Sequence, residues 1–253
     1  NLWAGTEGGG LLRISRDTNG MMAAEIFTAA NSGVRHDIVL SLATDRTENL
    51  WAGTLSGISK ADLKRQKFRL YRKSDSPNSV DLTGNVIASL YKDKYQRIWV
   101  GTWGQGLNIY DRETGTTEHY ASRLPGRNHI PNDFVHTIFE DTNGLIFLGT
   151  RDGLLIFLWE KHTFIRPERH PQNPGLPNLN GLRIFTMMQS HAGDYWIATQ
   201  DGLYRKPAAG GEMQRFHPEA PPGRRISSNL VYHVLEDREG SVWIATSEGL
   251  DVL

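Results

Sequence analysis

Three features of this 253-residue sequence predict an all-β fold built from repeated units. A six-residue phrase, NLWAGT at 1–6 and at 49–54, returns six times with small changes. Its aromatic third residues are 48, 48, 48, 49 and 47 positions apart, at Trp3, Trp51, Trp99, Phe147, Trp196 and Trp243. Each unit also holds four short segments of strand length and shows no helical periodicity. Together these features predict a β-propeller in which each unit forms one four-stranded antiparallel blade.

The first two strands of a blade, A and B, follow from the apolar runs and the phrase. Strand A is predicted at 37–44, 85–92, 133–140, 182–189 and 229–236. These runs are nearly continuously apolar, which is typical of a strand buried on both faces. A tight turn that opens with Asp or Ser, such as Asp93 or Ser190, leads into the phrase, which is strand B. The bulky Trp of strand B is expected to pack in the core between sheets.

Strands C and D complete the blade. A second tight turn after the phrase ends in Gly and an aliphatic residue, and strand C follows it. Strand D is the shorter segment near Phe27, 68–71, 118–120, Phe164 and Phe216. The connectors from D to the next A contain ten of the eleven prolines, which are excluded from interior strands. They lie at 72–84, 121–132, 167–181 and 217–228.

The spacing predicts a single array of blades over 1–253. It predicts a partial blade at 1–36, four complete blades at 37–84, 85–132, 133–181 and 182–228, and a partial blade at 229–253. The first lacks strand A and the last lacks strand D. We therefore expect about six visible blades in an incomplete sector of a larger propeller, within a piece of a longer protein.

Composition excludes several classes of function. The 28 basic and 28 acidic residues balance, which argues against a nucleic-acid partner or an anionic membrane. The absence of cysteine excludes disulfides, thiolate metal sites and a cysteine nucleophile. No apolar run reaches eighteen residues, so we expect no direct membrane insertion of this segment. His136 and His233 lack neighbours at metal-ligand spacing, so neither a metal nor a cofactor is predicted.

The repeat resembles the two-component regulator propeller repeat. The resemblance is strongest over 85–102, which contains Asp93 and the phrase IWVGT, and over 229–246, which contains Asp237, Gly240 and VWIAT. The segment 182–199 departs most, because Leu182, Arg183 and Ser190 replace the usual polar, apolar and Asp residues.

The resemblance implies a function. Proteins with this repeat look like sensor regions of bacterial hybrid histidine kinases and of some diguanylate cyclases. It implies a periplasmic, non-catalytic sensor that binds a small molecule or an oligosaccharide such as a glycan fragment. It also implies an output domain outside this chain and a homodimer formed through the parent receptor. A protein–protein interaction scaffold is the alternative hypothesis.

A carbohydrate-active enzyme, glycosidase or lyase, is a weaker alternative. Such enzymes need converging carboxylates, whereas the interior positions of the five A strands hold no Asp or Glu. Glu140 and Glu236 stand only at strand ends. No catalytic residue is therefore predicted.

Candidate ligand-binding residues lie where the copies differ. The B–C turns and the residues that lead into strand A should share one face, and variation on constant blades is how repeat proteins acquire ligands. Trp103 is the strongest candidate, because no other repeat has an aromatic after the Thr. For Asp and Gln before Gly, an ordinary turn role is the alternative. The predicted residues are Trp103, Gln105, Arg151, Asp152, Gln200 and Asp201 in turns, and His36, Asn85, Asp133, Arg183 and Asn229 before strand A.

Overall fold

A computed structural model describes residues 2–16, 22–45, 49–62, 67–71, 73 and 81–253. Asn1, turn residues 46–48 and most of the connector 72–80, all named above, lie outside these residues, and of 68–70 only the backbone is described. The chain forms two compact units, Asn1–Tyr120 and Ala121–Leu253. The predicted blade boundaries within a single array stay a prediction.

The first unit holds three antiparallel sheets, numbered in chain order, whose strands pair with their sequence neighbours. Sheet 1 contains β1 (Leu2–Gly5), β2 (Leu11–Arg16) and β3 (Met22–Phe27). Sheet 2 contains β4 (Val39–Thr44), β5 (Asn49–Thr54), β6 (Gly57–Asp62) and β7 (Lys67–Tyr71). Sheet 3 contains β8 (Ile87–Lys92), β9 (Ile98–Thr102), β10 (Leu107–Tyr110) and β11 (Thr117–Tyr120).

The second unit holds three more sheets of the same topology. Sheet 4 contains β12 (Val135–Glu140), β13 (Ile146–Thr150), β14 (Gly153–Leu158) and β15 (Thr163–Ile165). Sheet 5 contains β16 (Ile184–Gln189), β17 (Tyr195–Thr199), β18 (Gly202–Lys206) and β19 (Gln214–Phe216). Sheet 6 contains β20 (Val231–Glu236), β21 (Val242–Thr246) and β22 (Gly249–Val252).

These sheets confirm the predicted fold class, β-propeller blades in an incomplete array. Among the described residues, four sheets have the strand order A to D, sheet 1 shows no strand A and sheet 6 shows no strand D. The helical residues in the described ranges form two three-residue 3₁₀ turns, Gly126–Asn128 and Pro167–Arg169. Neither approaches the length that a membrane-spanning helix requires.

Strand B, not strand A, is the most buried strand of a blade. Every residue of β5, β9, β13 and β17 is buried. The A strands alternate instead between buried and partly exposed positions, as in β8 and β16, so the prediction that they are buried on both faces is wrong. They also begin two residues later than predicted. The apolar residues of strand A serve one packed face and one accessible face.

Each A strand carries a β-bulge that its sequence pattern does not indicate. In all five, the pairing with strand B shifts between the first and third residues. The second residue is therefore extra and stands outside the regular ladder, and such bulges aim a side chain away from it. The bulge residues are Leu40, Ala88, His136, Phe185 and Tyr232.

The turn between strands A and B is tied to the aromatic of strand B. Asp45 accepts a hydrogen bond from the indole nitrogen of Trp51 at 3.0 Å, and Asp93 accepts one from Trp99 at 2.9 Å. The other carboxylate oxygen of Asp93 accepts the backbone N–H of Arg97 at 2.9 Å. One carboxylate thus closes the turn and satisfies the buried indole, which explains the six-residue spacing from Asp to Trp.

The cores lie between consecutive sheets within each unit. In the second unit, Phe147, Ile156 and Ile197 belong to a cluster that joins sheets 4 and 5. Trp196 and Ile244 belong to one that joins sheets 5 and 6. Apolar burial therefore holds the sheets together face to face, and their variable ends are left available for a site.

Candidate functional site

The B–C turns are held by the Thr that ends each phrase. In sheet 4, Thr150 donates its hydroxyl hydrogen to the carbonyl of Gly153 at 2.8 Å and accepts the N–H of Asp152 at 3.1 Å. Thr102 and Thr199 make the equivalent bonds in sheets 3 and 5. Thr therefore fixes the turn backbone, and the residues after it can vary without loss of the turn.

The residue after the Thr connects the turn to strand A of its own sheet. The backbone N–H of Trp103 donates to the carbonyl of Val86 at 2.9 Å, and that of Gln200 donates to Arg183 at 3.3 Å. Arg151 makes the same bond to Phe134 at 3.1 Å. Within each unit, the two groups of predicted site residues therefore lie beside each other at one end of the strands.

In the first unit, Trp103 and Gln105 are accessible. The Trp103 side chain is 48% exposed, which leaves its ring accessible. Gln105 lies against Gly84: a Cβ at position 84 would stand 2.8 Å from its Cγ. Its carbonyl also accepts a hydrogen bond from Thr83 at 2.8 Å. The preceding connector, through Thr83 and Gly84, therefore supports this turn, and Trp103 lies on its exposed side.

His36 and Asn85 have local structural roles. The Nδ1 atom of His36 accepts the N–H of Ile38 at 3.0 Å. The side-chain oxygen of Asn85 accepts the N–H of Lys73 at 2.6 Å. The His36 bond fixes a local turn just before strand A, whereas the Asn85 bond joins the two ends of the connector between sheets 2 and 3.

Asp152 forms hydrogen bonds with residues of its own blade. Arg166 of the following connector donates to the carbonyl of Asp152 at 2.6 Å and to its carboxylate at 3.1 Å. The other carboxylate oxygen accepts the N–H of Gly181 at 3.0 Å. Asp152 therefore has a structural role within its blade, and its ligand-binding role stays a prediction.

Asp201 has the same arrangement in sheet 5. Arg215 donates to its carbonyl at 2.7 Å and pairs with its carboxylate, and it reaches Asn229 at 3.4 Å. The hydroxyl of Tyr204 donates to the other carboxylate oxygen at 3.0 Å. Burial, and then this bond, raise the pKa of Tyr204 to about 12. Asp201 and Asn229 thus form a bonded network around one arginine.

Two further predicted site residues, Asp133 and Gln200, form hydrogen bonds with the connectors. The carboxylate of Asp133 accepts the backbone N–H and the hydroxyl of Ser122, both at 2.6 Å. Gln200 is exposed and its amide donates to the carbonyl of Gly181 at 3.4 Å, a long contact. Gln200 is therefore the more adaptable of the two.

Arg151 and Arg183 are arranged differently, because both lie over aromatic rings. The guanidinium carbon of Arg151 is 5.3 Å from the ring centroid of Phe134, and that of Arg183 is 5.7 Å from Phe185. The buried Nε of Arg183 makes no hydrogen bond within the described part of the chain. Two cations thus stand on aromatic faces, where an anion can still approach them.

The bulge residues of sheets 4 to 6 form a continuous series of rings, which we call the strand-A aromatic row. The rings of His136 and Phe185 are 5.7 Å apart, and those of Phe185 and Tyr232 are 5.5 Å apart in an edge-to-face arrangement. Exposure rises along the row, from buried His136 to Tyr232, which is 48% exposed. These distances are typical of favourable aromatic pairs.

The electrostatics of the row are cationic. Burial lowers the pKa of His136 to about 4, and the charges of Arg183 and Arg151 act in the same direction. His136 is therefore neutral at physiological pH, and the positive charge is carried by the arginines. An aromatic surface with two flanking cations suits a flat or ring-shaped anion.

The arginines were predicted from the sequence, whereas the aromatic row was not. The sequence predicts a structural histidine at His136 rather than a metal ligand, and it places Phe185 and Tyr232 within strand A. Variation does not single out these positions, because the fifth residue of each A strand also differs in every copy. A usable signal for other contacts is an arginine fourteen residues after a turn Asp, Arg166 after Asp152 and Arg215 after Asp201.

The fold and these turns define a repeat protein of propeller blades, and comparisons identify the repeat. The family model of the two component regulator propeller matches residues 81–104 and 225–248. These two segments therefore match the two component regulator propeller, and the resemblance seen in the sequence is confirmed.

A curated relative and two solved structures are similar to this chain. Histidine kinase P4 of Formosa agariphila is 27% identical over 151 residues, which are 59% of this chain and 11% of the relative. The extracellular domain of a putative hybrid two-component system of B. thetaiotaomicron is 21% identical with a TM-score of 0.78, over 99% of this chain and 31% of that one. Another extracellular domain from that organism, of a putative one component system, gives 21% and 0.71, over 99% and 30%.

The chain thus spans about a tenth of the curated relative and under a third of these solved structures. At this level of identity the solved structures establish the fold. The similar proteins are extracellular or kinase components of signalling systems.

Proposed function

We propose that this chain is a non-catalytic sensor propeller from the periplasmic part of a bacterial signal-transduction receptor. Its ligand is a glycan fragment with negative charge, and the signal passes to an output domain outside this chain, a histidine kinase or a diguanylate cyclase. The parent receptor acts as a homodimer. The family of the repeat and the signalling systems to which the similar proteins belong support this class.

One observation carries the choice of ligand. Arg151 and Arg183 flank the strand-A aromatic row at the end of the blades where the copies differ. Aromatic faces stack on sugar rings, and guanidinium groups bind carboxylates with paired hydrogen bonds. Phe185 and Tyr232 would hold the ring, and the arginines would hold its carboxylate.

The absence of paired carboxylates argues for binding without catalysis. The described A strands hold no Asp or Glu at their interior positions, and Glu140 and Glu236 lie at the opposite ends from the arginines. The acids of the B–C turns in sheets 4 and 5, Asp152 and Asp201, are bonded to arginines, and Asp152 also accepts a backbone N–H. They are poorly placed to act as a general acid or base.

Calorimetric titration of the chain with uronate-containing and neutral oligosaccharides of equal length tests the proposal. We expect saturable binding of the acidic series, weakened about tenfold or more in Arg183→Gln and Arg151→Gln. Arg238→Gln, which removes one charge from an exposed turn at the other end of sheet 6, is the matched control and should bind normally.

Two outcomes would favour other functions. No saturable glycan binding, with a protein that co-purifies instead, would support the interaction scaffold. Loss of binding in Trp103→Ala with normal binding in Arg183→Gln would place the ligand at Trp103 in the first unit.

A further inference from the structure

A separate pocket of about 370 Å³ lies between sheets 5 and 6, at the end of the strands that carries the A–B turns. Its wall includes Ser190 of the turn in sheet 5, Trp196 of β17 and Arg205 of β18. Arg224 and Glu236 are further charged residues of the wall. The strand-A aromatic row lies at the other end of the same strands, so this pocket is a distinct site.

Ser190 occupies the position that Asp holds in the other A–B turns. Its backbone bonds to Asp194 and Gly193, both 2.8 Å, reproduce those of Asp141 in sheet 4. Its hydroxyl oxygen accepts the N–H of Asp194 at 3.1 Å, as one carboxylate oxygen of Asp93 does for Arg97. The turn is therefore intact, but Ser has no second oxygen to offer the indole of strand B.

The indole of Trp196 consequently has no acceptor. Trp196 is 5% exposed, and its Nε1 is buried and donates no hydrogen bond among the residues that the structure covers. The equivalent nitrogens of Trp51 and Trp99 donate to Asp45 and Asp93. A buried donor without an acceptor is unfavourable, so the pocket beside it favours a ligand that supplies an oxygen.

One arginine in the pocket wall is available to bind an anion. Arg205 lies over the Trp196 ring at 5.4 Å and bonds Asp194 through Nε at 2.7 Å and Nη2 at 2.6 Å. Glu236 is paired with His191, whose backbone N–H donates to it at 2.6 Å. Arg205 thus compensates the charge of Asp194, and Glu236 accepts hydrogen bonds from His191, whereas Arg224 forms no ion pair within the described ranges. Arg205 and Arg224 balance Asp194 and Glu236, so the wall is formally neutral and Arg224 is the cation without an ion-pair partner among the described residues.

We propose that this pocket binds a small organic carboxylate. One carboxylate oxygen takes the place of the missing Asp oxygen and accepts the hydrogen of Trp196 Nε1. Arg224 supplies the counter-charge, and the stacked Arg205 and Trp196 form the wall against which the acid packs. A volume of this size falls in the range of small-molecule pockets. The inference is independent of the glycan site proposed above.

Acetate is a suitable probe, because it is the group that Ser190 lacks relative to Asp. The ¹⁵N–¹H resonance of the Trp196 indole is followed by NMR during titration of the full 253-residue chain with sodium acetate, with sodium chloride at matched ionic strength as the reference. We expect a saturable shift of this resonance with acetate alone, and an acetate-dependent rise in the melting midpoint.

Two variants make the test specific. In Ser190→Asp the chain carries its own carboxylate, so the melting midpoint should rise without acetate and the resonance should no longer respond to it. Trp196→Phe introduces the residue that Phe147 provides at the same position of sheet 4, so it should fold, identify the resonance by its loss and remove the acetate effect. A Trp196 resonance that ignores acetate, or that responds equally in Ser190→Asp, would overturn the proposal.

Discussion

Tyr195 of sheet 5 donates its phenolic hydrogen to Oδ2 of Asp141 in sheet 4, with 2.7 Å between the oxygens. Sheet 4 is the one in which Phe147 stands in place of Trp, so Asp141 has no indole donor from its own blade. The carboxylate is satisfied from the next sheet instead. Burial, and then this hydrogen bond, raise the pKa of Tyr195 above its ordinary value. The bond couples two blades through a substitution in one of them.

Removal of the hydroxyl in Tyr195→Phe should destabilise the second unit. Asp141 is 6% exposed, so the variant leaves a buried carboxylate oxygen without this donor. We expect the free energy of unfolding to fall by about 1.5–3 kcal/mol, as measured by urea denaturation.

Tyr204→Phe is the matched control. It removes a similar bond, 3.0 Å long, but Asp201 keeps its ion pair with Arg215. The loss should therefore be clearly smaller than in Tyr195→Phe. Equal losses in the two variants would mean that the bond between the sheets has no special importance.

His136 should make the fold sensitive to acid. Its folded pKa, about 4, lies below the ordinary value of 6.5 because of burial and the charges of Arg183 and Arg151. Below pH 6.5 His136 becomes protonated in the unfolded chain, whereas in the folded chain it stays neutral until the pH approaches 4. Stability should thus be complete above about pH 6.5 and fall towards pH 4, by up to about 3 kcal/mol from this group.

His136→Phe isolates this contribution, because Phe185 is the equivalent residue of sheet 5 and shows that the bulge accepts Phe. Denaturation at about pH 7.5, 6, 5 and 4.5 should show a shallower loss of stability in the variant than in the parent. Parallel pH profiles would show that other groups cause the acid sensitivity.

Gly153 should be intolerant of a side chain. Its φ is +97°, and a Cβ there would stand 2.7 Å from the carbonyl oxygen of Leu179. Gly210 has a similar φ of +93° but nothing within 4 Å of the Cβ position. Gly210→Ala should cost about 1 kcal/mol from backbone strain alone. Gly153→Ala should cost more, because the connector must also move.

Ligand binding can also be compared between Gly153→Ala and Gly210→Ala, because Gly153 lies close to Arg183. The N–H of Gly153 donates to the carbonyl of Leu182 at 2.8 Å, directly before Arg183. Gly153→Ala should therefore weaken binding of an acidic glycan as well as stability, whereas Gly210→Ala should leave binding unchanged. Similar stability losses in both variants, measured by thermal melting, would contradict the predicted clash.

The fold could be predicted because its determinants are local and repeated. The spacing from Asp93 to Trp99 lies within one hairpin, and the Thr102 turn spans four residues, so sequence pattern alone places them. The burial of strand A could not be predicted in the same way. Apolar composition does not distinguish a strand packed on two faces from one whose apolar residues also line an accessible face.

The site was only partly predictable, because it depends on contacts between side chains that are distant in sequence, both within blades and between them. Asp152 and Asp201 remain predicted site residues, and each is bonded to an arginine fourteen residues further along its own blade. The strand-A aromatic row needs the bulges to bring His136 and Phe185 within 5.7 Å of each other across two sheets. A bulge changes pairing by one residue, and the sequence pattern of an A strand carries no sign of it.

Binding of an anion beside Arg151 and Arg183 should be coupled to proton uptake by His136. Both arginines lower the pKa of His136, so a carboxylate that compensates their charge should raise that pKa towards its ordinary value. Between about pH 4.5 and 5.5 the complex should then hold more protons than the free protein. By linkage, affinity for an acidic oligosaccharide should increase as pH falls through this window, while the ligand carboxylate stays ionised.

Calorimetry at about pH 5 in two buffers of different ionisation enthalpy measures this uptake directly. The parent chain should show a buffer-dependent binding enthalpy equivalent to a fraction of one proton, and His136→Phe should show none while still binding the ligand. Arg183→Gln should weaken binding and also reduce the coupling, because the remaining charge perturbs His136 less. A binding enthalpy independent of buffer in the parent chain would mean that the ligand lies away from the strand-A aromatic row, even if an acidic glycan binds elsewhere.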